Sequence, residues 1–132
     1  MRTSSKWAKF SKSSHYRLVD LGRPAVFLIP DKKLKVKTEG ETVESHIRTF
    51  LSDNFGAFTS STVANFGVWI NEERVVFKDR CRVYEVSFNG KHKIPILLKK
   101  LAEIARLIGE ECIYCKAGQY SCLIYPKTRV RQ

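Results

Sequence analysis

The most constraining feature of the sequence is a helical pattern of apolar residues in its last third. Six apolar side chains recur at helical spacing and form a wide stripe: Leu97, Leu98, Leu101, Ile104, Ala105 and Ile108. Pro95 suits the first position of a helix, and Gly109 is the type of residue that commonly follows the last turn. The sequence therefore predicts a helix from Pro95 to Ile108 whose apolar face must be covered by other elements.

A first helix is predicted from Thr42 to Phe55. Its apolar positions also follow helical spacing: Val43, Ile47, Phe50, Leu51 and Phe55. Thr42 is a natural N-cap, although Thr38 with Glu41 three residues later would form a capping box instead. Gly56 follows as a C-terminal stop.

The remaining patterned segments predict five strands. Ala25–Pro30 is a short continuous apolar run, and Phe66–Ile70 and Arg74–Phe88 flank a polar turn. Cys112–Cys115 and Tyr120–Tyr125 read as a hairpin. The basic segment 31–39 is either a further strand or an extended loop, and residues 57–65 read as a connection.

This order of elements predicts the fold class. Strand, helix, strand, strand, helix, strand and strand fit an α+β, ferredoxin-like (split βαβ) antiparallel sheet with two helices on one face, plus an extra C-terminal strand. A chain of 132 residues allows one such domain, and its longest apolar run is too short to span a membrane. We expect a basic, mobile arm at residues 1–19, the domain at 20–126 and a basic tail at 127–132.

The net charge of +11 is concentrated at the two ends of the chain. Residues 1–38 hold ten Lys and Arg and two acids, and residues 91–132 hold nine and three. The middle segment holds five basic residues and eight acids. Basic segments flanking a folded body favour a polyanionic partner, although general solubility would also explain part of the excess.

Strand Arg74–Phe88 suggests how such a partner could be bound. Alternate residues place Lys78, Arg80, Arg82 and Tyr84 on one face. Cations neutralise phosphates, and guanidinium planes and aromatic rings stack on bases. A charged edge strand that resists aggregation is the structural alternative.

The sequence therefore predicts a non-catalytic nucleic-acid-binding protein of the cytoplasm, with RNA or single strands slightly favoured. Its expected contacts are Lys6, Lys9, Lys12, Lys33, Lys35, Lys37, Lys78, Arg80, Arg82, Tyr84, Lys127, Arg129 and Arg131. A protein-interaction module, such as an accessory subunit of a nucleoprotein complex, is the first alternative. A small metal-dependent nuclease using acids such as Asp79 and Glu85 is the second. We expect no catalytic residue and no cofactor, since no catalytic motif or nucleotide-binding glycine loop is present.

Four cysteines raise the question of a zinc site. Cys112 and Cys115 have the spacing of a zinc pair, with Cys122 and Cys81 available as further ligands. However, the intervening Ile-Tyr is a poor turn, and in a strand the two thiols lie on opposite faces. Reduced, metal-free and largely buried thiols are therefore expected.

Overall fold

The computed structural model describes residues 6–56, 58–61, 65–70, 73–74, 76–88, 90–118 and 120–127. These residues include eight strands and two α-helices. In chain order they are β1 (Arg23–Pro30), β2 (Lys37–Thr38), β3 (Glu41–Thr42), α1 (Val43–Phe55), β4 (Phe58–Ser60), β5 (Asn65–Ile70), β6 (Val76–Phe88), α2 (Lys93–Leu107), β7 (Ile113–Ala117) and β8 (Tyr120–Ile124).

The main sheet has the strand order β4-β6-β1-β7-β8, and β5 also pairs with β6. Every pair is antiparallel. The central pair is β1 with β6, in a register that runs from Arg23 opposite Phe88 to Pro30 opposite Cys81. This topology confirms the predicted ferredoxin-like plan, and β8 is the predicted extra strand at the edge of the sheet.

Both helices cover the same face of the sheet. One continuous cluster of buried side chains joins them to the strands: Ala25, Phe27 and Ile29 of β1, Val43, Ile47 and Leu51 of α1, Tyr84, Val86 and Phe88 of β6, Leu97, Leu101, Ile104 and Ala105 of α2, and Ile113 and Cys115 of β7. Five of the six apolar positions predicted in the second helix are buried, whereas Leu98, and Phe50 in the stripe of the first helix, are only partly buried.

The ends of the helices follow the sequence closely. Thr42 is the N-cap of α1, and its hydroxyl accepts a hydrogen bond from the Ser45 amide at 3.1 Å. Gly56, with φ of 78°, ends that helix in a conformation that favours glycine. The second helix starts at Lys93, two residues before Pro95. At the C-terminal end of α1, the Lys93 ammonium donates to the carbonyl oxygen of Asn54 at 2.6 Å, which ties the two helices together.

Two short segments differ from the sequence predictions. The segment after β1 is neither a full strand nor an open loop, because Asp31–Lys33 forms a 3-10 turn and β2 pairs with β3 in a two-residue ladder. Strand β4 lies within the expected connection, and Phe58 pairs with Val86 of β6. Its Thr and Ser residues are exposed at the sheet margin, so their polarity concealed a strand.

The predicted terminal segments are described only in part. Residues 6–19 are exposed throughout, with a single 3-10 turn at Ala8–Phe10. The division into arm, domain and tail stays a prediction. Among the described residues, no helix combines the length and the apolar character needed to cross a membrane.

None of the four cysteines forms a disulfide bond, and they do not share one environment. Cys81 and Cys115 are buried, Cys112 is half-buried and Cys122 is exposed. The expectation of largely buried thiols is therefore met at two of the four positions. Within the described ranges, no three His, Cys, Asp or Glu side chains are grouped so that they could hold a metal ion.

Candidate functional site

The face of β6 that carries Tyr84, on which the sequence predicted contacts with nucleic acid, is covered by the helices. Tyr84 has only 1% of its surface exposed, and Val86 and Phe88 are buried on the same side. The opposite side carries the exposed Glu85 and the half-buried Val83. From Arg82 to Phe88 the predicted alternation is present, but the face that was expected to bind nucleic acid is the covered one; earlier in the strand Arg80 is exposed and Cys81 is buried. A ring at this position packs in the core and cannot stack on a nucleic-acid base.

Arg82 lies at the margin of this covered face and binds two carboxylates. Its guanidinium donates to Glu44 of α1 and lies 3.5 Å from Asp31 at the end of β1. The three side chains are 28%, 36% and 41% exposed, so the cluster is open to solvent on one side. Arg82 is thus held by two acids beside the helices and is not part of an open basic stripe.

Backbone hydrogen bonds bring the two acids together. The Glu44 amide donates to the Leu34 carbonyl at 3.0 Å, and the Val43 amide donates to the Val36 carbonyl at 2.8 Å. These bonds fix the start of α1 against the turn that begins at Asp31. Glu44 also stands in the first turn of its helix, where the helix dipole favours a negative charge.

The hydroxyl of Tyr84 is a fourth polar group beside Arg82, on the side of the protein core. Its ring stacks on Phe27 at 5.2 Å between centroids and contacts Phe58 at 6.3 Å. The hydroxyl oxygen is buried, and no described group forms a hydrogen bond of ordinary geometry with it. A buried polar group without a partner is uncommon, because it loses its hydrogen bonds to water.

Burial is the main influence on the Tyr84 hydroxyl and raises its pKa. The positive charge of Arg82 lowers the pKa, as do its contact with the hydroxyl and the charge of Arg48, whereas Glu44 raises it. The phenol therefore stays neutral and can donate a hydrogen bond at neutral pH. We call Asp31, Glu44, Arg82 and Tyr84 the Arg82 cluster.

The structure does not bring the other predicted contacts into this cluster. Exposed positions are occupied by Lys6, Lys9, Lys12, Lys35, Lys37, Arg80 and Lys127, and Lys33 is half-buried. The side chain of Lys78 and all of Arg129 and Arg131 lie outside the described residues. The individual roles assigned to these cations stay sequence predictions.

Two members of the cluster carry no signal in the sequence. Glu44 could be explained fully by the helix dipole, and Asp31 lies among lysines where a salt bridge is unremarkable. Arg82 and Glu44 are 38 positions apart, and only the pairing of β6 with β1 and the packing of α1 bring them together. Local spacing in the sequence does not reveal such a contact.

Comparison with known proteins rests on architecture alone. No protein-family model matches the chain, and no curated protein matches it in sequence. A solved structure of a phage SAM lyase in complex with S-methyl-5′-thioadenosine superimposes with a TM-score of 0.55. The match covers 86% of this chain and 96% of that one, at 16% sequence identity. The two proteins share a fold.

A phage SAM lyase in the apo state also matches, with a TM-score of 0.47 and 12% identity over 83% of this chain and 93% of that one. The solved structure that superimposes with a TM-score of 0.55 is of an enzyme. The sequence prediction of a non-catalytic nucleic-acid-binding protein is therefore wrong. It depended on an open face with Arg82 and Tyr84, which the helices and two carboxylates occupy instead.

Proposed function

We propose that this protein is a lyase that cleaves S-adenosylmethionine (SAM) and releases S-methyl-5′-thioadenosine. The observation that carries the proposal is the shared architecture, which extends over nearly the whole of the phage SAM lyase and most of this chain. A fold can host several functions, so the chemistry must be supported by the groups that this chain offers.

Cleavage of SAM at this position breaks the bond between the sulfonium and the carbon chain of the amino-acid fragment. The bonding electron pair stays on sulfur, and the sulfonium becomes a neutral thioether. A lyase uses no water for this step, so the carbon atom that loses the sulfur must form a new bond with electrons from the same fragment. This occurs either by loss of a proton from the neighbouring carbon or by attack of the fragment's own carboxylate.

The Arg82 cluster supports this proposal because it has the charges that such a substrate needs. SAM carries an ammonium, a carboxylate and a sulfonium, with a net charge of +1 at neutral pH. Asp31, Glu44 and Arg82 together carry −1, and their side chains remain partly accessible to solvent. They form an acidic site on a chain whose net charge is +11, so the overall charge gives no indication of this ligand.

A cytoplasmic location is part of the proposal. Four cysteines without a disulfide bond favour a reducing compartment, which agrees with the location that the sequence predicts.

The direct test is product analysis with purified protein. We expect SAM to disappear and S-methyl-5′-thioadenosine to appear in equal amounts, as measured by liquid chromatography and mass spectrometry. S-adenosylhomocysteine is the matched control substrate, because it retains the adenosyl and amino-acid parts but has a neutral thioether that is a poor leaving group. If folded protein leaves SAM intact, the proposal is refuted.

A further inference from the structure

The Arg82 cluster has two features that a purely structural salt bridge does not require. One guanidinium is shared between two carboxylates from different elements, so neither carboxylate has a cation to itself. The Tyr84 hydroxyl beside them is buried, and Arg82 lies near it without forming a hydrogen bond of ordinary geometry. Both features would be relieved by a ligand that brings an ammonium for the carboxylates and a hydrogen-bond acceptor for the hydroxyl.

The chemistry of the cluster matches one part of the proposed substrate. In an α-amino acid, the ammonium and the carboxylate are attached to the same carbon atom. A protein anion that binds the ammonium and a protein cation that binds the carboxylate must therefore also lie within a few ångströms of each other. Arg82 and its two carboxylates satisfy this condition, and a guanidinium binds a carboxylate through two parallel hydrogen bonds.

We propose that the Arg82 cluster binds the amino-acid end of the substrate by exchanging ion pairs. The substrate carboxylate binds the guanidinium of Arg82, and the substrate ammonium binds the carboxylates of Glu44 and Asp31. The Tyr84 hydroxyl then donates to the same substrate carboxylate, which replaces the hydrogen bond that the free protein lacks. The inference rests on the proposed function and specifies which part of SAM this cluster recognises.

The exchange keeps the charges of the cluster paired. The two ion pairs that Arg82 makes within the protein are replaced by ion pairs with the ligand carboxylate and ammonium, so neither Arg82 nor Glu44 is left as a desolvated charge. A ligand without the amino-acid end cannot compensate the cluster in this way. The cluster should therefore select for ligands that have the amino-acid end, because only they form the new ion pairs and give the buried Tyr84 hydroxyl an acceptor.

Three stable thioethers test separately whether the ammonium and the carboxylate of the ligand are recognised. S-adenosylhomocysteine has the whole amino-acid end, S-methyl-5′-thioadenosine has none of it, and 5′-(3-aminopropylthio)-5′-deoxyadenosine has the ammonium without the carboxylate. None has a sulfonium leaving group, so their dissociation constants can be measured at equilibrium by isothermal titration calorimetry. The variants are Arg82→Ala, Arg82→Lys and Glu44→Gln, and Arg106→Ala on the exposed side of α2 is the control.

We expect Arg82→Ala to weaken binding of S-adenosylhomocysteine at least tenfold and to leave binding of S-methyl-5′-thioadenosine within twofold. Binding of the ligand with only the ammonium should not weaken, because the substitution frees both carboxylates for that ammonium. Arg82→Lys should recover part of this loss, since it restores the charge without the paired hydrogen bonds. Glu44→Gln should weaken binding of both ligands that carry the ammonium. Far-ultraviolet circular dichroism establishes that each variant is folded, and Glu44→Gln provides a second test if Arg82→Ala is not.

Equal weakening of all three ligands, or no weakening of any, overturns this inference. In either case the proposed function survives if the wild-type protein cleaves SAM, because the amino-acid end would then bind elsewhere. If the wild-type protein binds none of the ligands and does not cleave SAM, the inference and the proposed function both fail. The cleavage assay and the binding series therefore distinguish the two failures.

Discussion

Replacing Tyr84 by phenylalanine removes the buried hydroxyl and keeps the ring that stacks on Phe27. The hydroxyl loses its bonds to water on folding and gains none of ordinary geometry from the described residues. An unsatisfied buried polar group costs roughly 1–3 kcal/mol. Because the positive charge of Arg82 lies near the oxygen, we expect the lower part of this range, so Tyr84→Phe should stabilise the free protein by about 1–2 kcal/mol.

For a chain of this length, that change corresponds to a rise in melting temperature of about 3–8 °C. Thermal unfolding followed by circular dichroism measures it, and urea unfolding gives the free energy independently. Tyr120 provides the control, because it is 80% exposed on β8 and Tyr120→Phe should change stability by less than about 0.5 kcal/mol.

The same substitution should weaken binding of S-adenosylhomocysteine, because the proposed hydrogen bond to the ligand is lost. Greater stability combined with weaker binding is the pattern expected of a polar group that is kept for function. A Tyr84→Phe variant less stable than wild type by 1 kcal/mol or more would refute this reasoning. It would show that the hydroxyl already has a partner within the folded protein.

Three further predictions concern the framework that holds the cluster. Leu101→Ala should lower the free energy of unfolding by about 2–5 kcal/mol in urea titrations, whereas Leu107→Ala, on the exposed side of α2, should have a much smaller effect. Thr42→Ala removes the N-cap of α1 and should cost about 1 kcal/mol, with Thr49→Ala on the exposed side of the same helix as the comparison; equal effects would contradict the cap. Burial raises the pKa of Cys115 to about 11, with smaller contributions from Cys122, against an ordinary value of 9.0. The folded protein thus keeps a proton that the unfolded chain loses, so stability should fall as the pH rises from about 9 to 11, and Cys115→Ala should reduce that slope.

The fold could be predicted from the sequence because its signals are local. The apolar stripe of α2, the Thr42 cap and the alternation of β6 each depend on residues a few positions apart. The assignment of the two faces of β6 could not be read from its cations, because coverage depends on where the helices lie. The apolar run of Tyr84, Val86 and Phe88 was a better indicator, since the residues that alternate with it at this end of the strand are Val83, Glu85 and Ser87.

The candidate site could not be predicted from the sequence, for a different reason. The ion pairs of Arg82 join residues that are far apart in the chain, and the unsatisfied state of the Tyr84 hydroxyl is a property of the packed core. Net charge was misleading, because it summed many exposed cations and concealed one small acidic cluster. Charge identifies a partner only where the structure shows which side chains meet.

The initial rate at which S-methyl-5′-thioadenosine is released from SAM should be compared for the wild-type protein, Arg82→Ala and Arg106→Ala. We predict that the wild-type protein and Arg106→Ala release it at the same rate, and that kcat/KM for Arg82→Ala is at least tenfold lower, about 1.4 kcal/mol of lost transition-state stabilisation. Release by Arg82→Ala at the wild-type rate would exclude the cluster from the site. No release by folded wild-type protein would contradict the proposed lyase activity itself.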